Sequence, residues 1–206
     1  MGQYYRPCLL TPNYKETTKP VIGSVDCYTL DNGAKLMEHS YVGNLFVIAA
    51  SHMLIGNKTN PFVWAGDYAD PVNEDLHEER NMYYFAVEDN FDKEYTKKHF
   101  ADLIELDNTC NDYTNEEWHS FLVKLIQPYV INHSKKEYIK VPERKINELT
   151  INPLPLLTAS SNGRGGGDYR GTNMEYVGIW AYDIIECGDK VPEGYNELKV
   201  TFTEEI

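Results

Sequence analysis

The sequence predicts an α+β fold, a mostly antiparallel sheet with about three helices in a single domain. Three observations predict it. Strand-like runs are separated by short turn signals, as at Asp31-Asn32-Gly33 and His133-Ser134-Lys135-Lys136. Only about three stretches carry helical spacing. No regular β-α-β alternation and no internal repeat runs along the chain. A length of 206 residues suffices for one sizeable core. No shift in composition marks a boundary, so 1–206 reads as one unit.

The elements follow in order. Gln3–Leu10 reads as a strand carrying Tyr4, Tyr5, Leu9 and Leu10, and Val21–Leu30 as a second. Ser40 is a candidate N-cap, since its hydroxyl can accept an orphan N–H of the next turn. From Val42 to Ile55 the spacing of Val42, Leu45, Phe46, Ala49 and Met53 predicts a largely buried helix, which Gly56-Asn57 stops. Phe62–Ala65 and Met82–Val87 read as short strands, and Asp92 as the cap of a helix running through Leu106.

Thr114-Asn115-Glu116-Glu117 is a capping box, in which cap and third helical residue satisfy each other's backbone N–H. Trp118, Phe121, Leu122, Leu125 and Ile126 then form one stripe, closed by Pro128. Tyr129–Asn132 and Glu137–Val141 read as a hairpin. Leu154–Ala159 and Met174–Ile185 are expected as strands on either side of a glycine-rich segment. The second is apolar at both parities, like a central strand covered on both faces. Glu197–Phe202 alternates apolar and polar residues and reads as an edge strand.

Charge excludes several functions. A net charge of −13 and a pI near 4.8 argue against binding a nucleic-acid backbone or docking on anionic lipid. Four widely spaced cysteines without a C-x-x-C pair point to a reducing compartment rather than a zinc site or a disulfide framework. No signal peptide is recognised, and the apolar run Phe46–Ile55 is too short to span a bilayer, so a cytoplasmic location is expected.

The richest candidate site is Asn162–Gly171. Four glycines in five residues permit positive φ and close backbone approach. Consecutive N–H groups in such a segment can nest an anion, with Arg164 or Arg170 as the charged partner. The candidate ligand-binding residues are therefore Asn162, Arg164, Gly165, Gly166, Asp168, Tyr169 and Arg170. The alternative is an ordinary surface connection. A second constellation, His39 with Asp67, Asp70 and Asp168, would serve a hydrolase or transferase if the fold gathered it at strand ends.

Other signatures are incomplete. Asp168 occupies the last position of a would-be Gly-x-Gly-x-x-Gly, and Gly56-Asn57-Lys58-Thr59 is no P-loop. Ser40 lies in no Gly-x-Ser-x-Gly elbow. His77-Glu78 lacks the second histidine of a zinc-protease helix, and no metal site is expected.

The opening Met1-Gly2-Gln3-Tyr4-Tyr5, the Leu36-Met37-Glu38-His39-Ser40 stretch, Trp64–Asp70, Asn132–Tyr138 and Asn162–Tyr169 together resemble small uncharacterised proteins of bacteriophages and gut bacteria. That resemblance covers most of the chain and implies an intracellular accessory protein, encoded by phage or bacterium. It carries over no activity, cofactor or site residue. The partner expected from the residues is a small anionic, nucleotide-like ligand or a host protein.

Overall fold

The computed structural model describes residues 3–161 and 168–204. The chain runs through β1 (Tyr5–Leu10), β2 (Val21–Ser24), the single turn α1 (Leu36–His39), α2 (Leu45–Met53), β3 (Phe62–Gly66), the single turn α3 (Glu74–His77) and α4 (Met82–Val87). There follow α5 (Phe91–His99), α6 (Ala101–Asn108), α7 (Asn115–Leu125), β4 (Tyr129–Asn132), β5 (Glu137–Lys140), α8 (Pro153–Thr158), β6 (Ala159–Ser160), β7 (Ile185–Gly188) and β8 (Asn196–Glu197).

The α+β class holds, with two corrections. Among the described residues there are six helices of at least six residues, not about three. Both sheets are mixed rather than mostly antiparallel. The first has the order β2-β1-β3-β6, with β6 parallel to β3. The second has the order β7-β4-β5-β8, with β8 parallel to β5.

Side-chain alternation along β1 and β3 sorts the first sheet into two faces. Tyr5, Phe62 and Trp64 belong to the main core, together with residues of α2, α6, α8 and the second sheet. Cys8, Leu10, Val63 and Ala65 form a smaller cluster with Met82, Phe85 and Ala86 of α4. Helices therefore cover both faces. No helix among the described residues is long and apolar enough to cross a membrane.

Several elements differ from the sequence reading. Leu154–Leu157 is helical, not a strand. Asn152 caps α8 by accepting the Leu154 N–H at 3.0 Å, and Pro153 occupies the first turn, where its missing N–H costs nothing. Met82–Val87 is likewise a helix, capped by Asn81 through the N–H groups of Tyr83 and Tyr84. In both, apolar cover on all sides erases the period that separates helix from strand.

Val177–Ile185 is mostly turns, and β7 begins only at Ile185. The chain is forced to bend there. Gly178 has φ +80, and any Cβ on it would lie 2.6 Å from the Ala159 carbonyl oxygen. The expected helix from Asp92 to Leu106 breaks at Phe100 into α5 and α6. Val21–Leu30 leaves the strand at Ser24, because Asp26 folds back to accept the N–H and hydroxyl of Thr29 at 2.9 and 2.7 Å. Asn44, not Ser40, caps α2, while the Ser40 hydroxyl donates to the Leu36 carbonyl at 2.6 Å. Of Glu197–Phe202 only Glu197 joins a sheet.

Candidate functional site

The site grows from the ladder between β1 and β3. Tyr5 faces Gly66 across that ladder, and Ala65 faces Ser160 across the parallel pair. The start of β1 therefore meets the carboxyl ends of β3 and β6 at one corner of the sheet. The fit at Gly66 is tight: a Cβ there would displace the Gln3 amide and stand 3.0 Å from the Ser160 carbonyl oxygen.

Two polar side chains are buried at this corner. Gln3 is wholly inaccessible, and neither its Nε2 nor its Oε1 has a partner among the described residues. An unpaired buried amide of this kind costs roughly 1–3 kcal/mol. Tyr5 is 1% exposed, and its hydroxyl donates a short hydrogen bond to Asp168 Oδ1. Ser161 engages the same hydroxyl. One tyrosine thus fastens the residues on both sides of 162–167.

Electrostatics mark the corner as well. Burial pushes the Asp168 carboxyl above the usual carboxylate range, against the lowering influence of the Tyr5 bond and the Arg170 charge; Asp67 pushes it up further. Burial raises Asp67 too, opposed by the backbone N–H of Tyr4, which Asp67 Oδ1 accepts at 3.0 Å. Burial and the bond to Asp168 keep the Tyr5 hydroxyl protonated. Asn81 pins the turn after β3 by donating to the carbonyls of Asp67 and Ala69 at 3.0 and 2.8 Å.

The sequence candidates divide accordingly. Asn162, Arg164, Gly165 and Gly166 lie outside the described residues. Asp168 and Asp67 are at the corner. Tyr169 is buried beside it, its single hydroxyl proton shared between the carbonyls of Thr172 and Thr203 at 2.7 and 2.8 Å, and Arg170 is exposed. Asp70 is exposed on the turn beyond Asp67. His39 is fully buried under Trp64. Its Nδ1 meets the Gly33 carbonyl at 3.0 Å and its Nε2 meets the Trp64 indole N–H at 3.0 Å. A carbonyl can only accept and an indole N–H can only donate, so the ring is a neutral Nδ1–H tautomer with both nitrogens in use.

Among the described residues no group of three His, Cys, Asp or Glu side chains converges as a metal site. Cys8, Cys27 and Cys187 are buried free thiols, and burial raises each above the ordinary thiol range.

Sequence reasoning missed Gln3, Tyr5 and Ser161. The available signal was a polar Gln3 two residues before Tyr5, on the parity of a strand side otherwise apolar. Comparison with protein-family models, with curated proteins and with solved structures finds no match.

Proposed function

We propose that this protein is an accessory binding protein that takes a small anionic, nucleotide-like molecule at the corner where β1, β3 and β6 meet. The carrying observation is the Tyr5 hydroxyl, which engages Ser161 before the glycine-rich run and Asp168 after it. Fixing both flanks of a glycine-rich segment lowers the entropy lost when it closes on a guest. Arg164 and Arg170 supply charge for the anionic group. Asp67 and Asp168, both half-buried, offer acceptors to the ligand's hydroxyl- or amine-bearing part.

A hydrolase or transferase built on His39, Asp67, Asp70 and Asp168 would need a free base, and His39 spends both nitrogens in the core. The test is calorimetric titration with nucleoside mono-, di- and triphosphates. Arg164→Ala with Arg170→Ala should weaken binding about a hundredfold or more, the effect of removing two charge-assisted contacts of roughly 1.5–3 kcal/mol each. Unchanged affinity in the double variant, or no binding by the unaltered protein, overturns the reading.

A further inference from the structure

A second region is unused by the corner site. At the start of α7, Thr114 holds the cap: its hydroxyl accepts the Glu117 N–H at 3.3 Å, and Glu117 accepts the Thr114 N–H at 2.9 Å. Tyr113, just before the cap, packs on Trp118 with ring centroids 5.9 Å apart. That pair is a hydrophobic staple, which accounts for its position in structural terms alone. The staple does not account for Phe121. Its ring lies 6.5 Å from both Trp118 and Tyr113, and it is 37% exposed beside a Tyr113 that is 40% exposed.

The planes of Tyr113 and Phe121 are inclined at 38°, and both rings line a shallow open cleft. Trp118 packs against both rings and against the core, which fixes them. The cleft is lined by Tyr113, Glu116, Glu117, Ser120, Phe121 and Lys124. Two ring faces and two carboxylates make a surface that attracts positive charge. Lys124 is the one like charge on the rim, two helical turns beyond Glu116, roughly 12 Å along the axis.

We propose that this cleft binds a trimethylammonium group. Ring centroids 6.5 Å apart let one cation sit within the ~6 Å cation–π range of both walls. A trimethylammonium sheds little hydration and brings methyls to the ring faces, whereas a primary ammonium is strongly hydrated and gives up more on entering. Glu116 and Glu117 supply the counter-charge. The ligand carries no anionic group on the carboxylate side of the cleft.

Choline is the probe, and Trp118 is the reporter. Trp64 and Trp180 are fully buried, so a ligand-dependent change in tryptophan emission reports Trp118. The expected result is a saturable shift with a Kd on the order of millimolar. Phe121→Leu and Glu116→Gln should each weaken binding about two- to fivefold, and Lys124→Ala should tighten it. Glu116 is exposed, so its variant tests the proposal even if Phe121→Leu perturbs the helix. The neutral isostere 3,3-dimethylbutan-1-ol should bind far more weakly than choline. Equal binding of the isostere, or no saturable response to choline, overturns the proposal. Phosphocholine and a trimethyllysine peptide run in parallel identify the source of the group, whichever binds tighter.

Discussion

Tyr5 and Arg6 are neighbours on β1, yet their surroundings could hardly differ more. Arg6 is buried on one face of the sheet, where Asp92 Oδ2 accepts from Nε at 2.8 Å and Asp26 Oδ1 from Nη2 at 3.0 Å. Its Nη1 donates to the Tyr5 carbonyl at 3.0 Å, and Tyr28 and Tyr83 cover the guanidinium at 5.2 and 5.5 Å. The carboxylates are themselves saturated: Asp26 by Thr29, Asp92 by the Lys93 N–H at 2.8 Å. Every charged group around Arg6 has its partners. On the opposite face, Tyr5 lies near a Gln3 amide with neither half paired among the described residues and two carboxyls that burial pushes up. A closed network serves one conformation. An open one is the arrangement that a ligand can complete.

The largest effect tests the closed side. Arg6→Met should destabilise the protein by about 3–5 kcal/mol in urea unfolding, because Asp26 and Asp92 would remain as buried charges without their cation. Replacing all three charged groups by apolar residues of similar volume should recover much of that loss. If Arg6→Met cost less than about 1 kcal/mol, the contrast between the two faces would collapse.

How far the sequence disclosed this contrast depends on the range of each signal. The capping box of α7 and the β4–β5 hairpin were legible, since Thr114–Glu117 and His133–Lys136 act over three or four residues. The helices α4 and α8 were not, because buried apolar runs lose their period when every side is covered. At the site, composition singled out Asp168, Tyr169 and Arg170. The partner that matters for Asp168 is 163 residues away, and only the register of β1 against β3 and β6 brings Tyr5 to it. Of the aspartates on Arg6, Asp26 fell inside an expected strand and Asp92 was read as a cap, since nothing local tells a buried carboxylate from a solvated one.

The next effect concerns a neutral closed unit on the Tyr5 face. Burial pushes His39 down to about 4, and the charge of Arg6 adds to the shift. Between that value and the unfolded value of about 6.5 the unfolded chain binds a proton that the native one refuses. Stability therefore rises with pH across this window and is lost as pH falls from about 6.5 to 4. The loss should reach about 3 kcal/mol, and His39→Gln should flatten that part of the profile. An unchanged slope in the variant would mean that the histidine takes up a proton in the native state.

A smaller effect probes the open side itself. Tyr5→Phe keeps the ring in the core and removes only the hydroxyl that engages Ser161 and Asp168. Stability should fall by roughly 1–2 kcal/mol, the cost of one partly buried hydrogen bond. Ligand affinity should fall further than stability, because the flanks of the glycine-rich run lose their common anchor. A loss of stability with affinity intact would make Tyr5 a core residue and nothing more.

The smallest effect separates the two faces most cleanly. Burial raises Asp168, so its charged form is disfavoured in the native state and stability declines as pH rises through its folded value. Asp168→Asn keeps an acceptor for Tyr5 and removes the charge. The variant should be slightly more stable than the natural protein at pH 7, by well under 1 kcal/mol given the partial exposure of the group, and no more stable near pH 3. It should also bind a nucleotide-like ligand less well if the carboxylate accepts from the ligand's hydroxyls. Gaining stability while losing affinity is what a residue held for binding does. The corresponding change on the other face, Asp92→Asn, weakens the charge pairing of Arg6 and should cost stability at pH 7. Opposite signs for these two substitutions, read as melting temperatures in one buffer, would place the functional side of the sheet on the face of Tyr5.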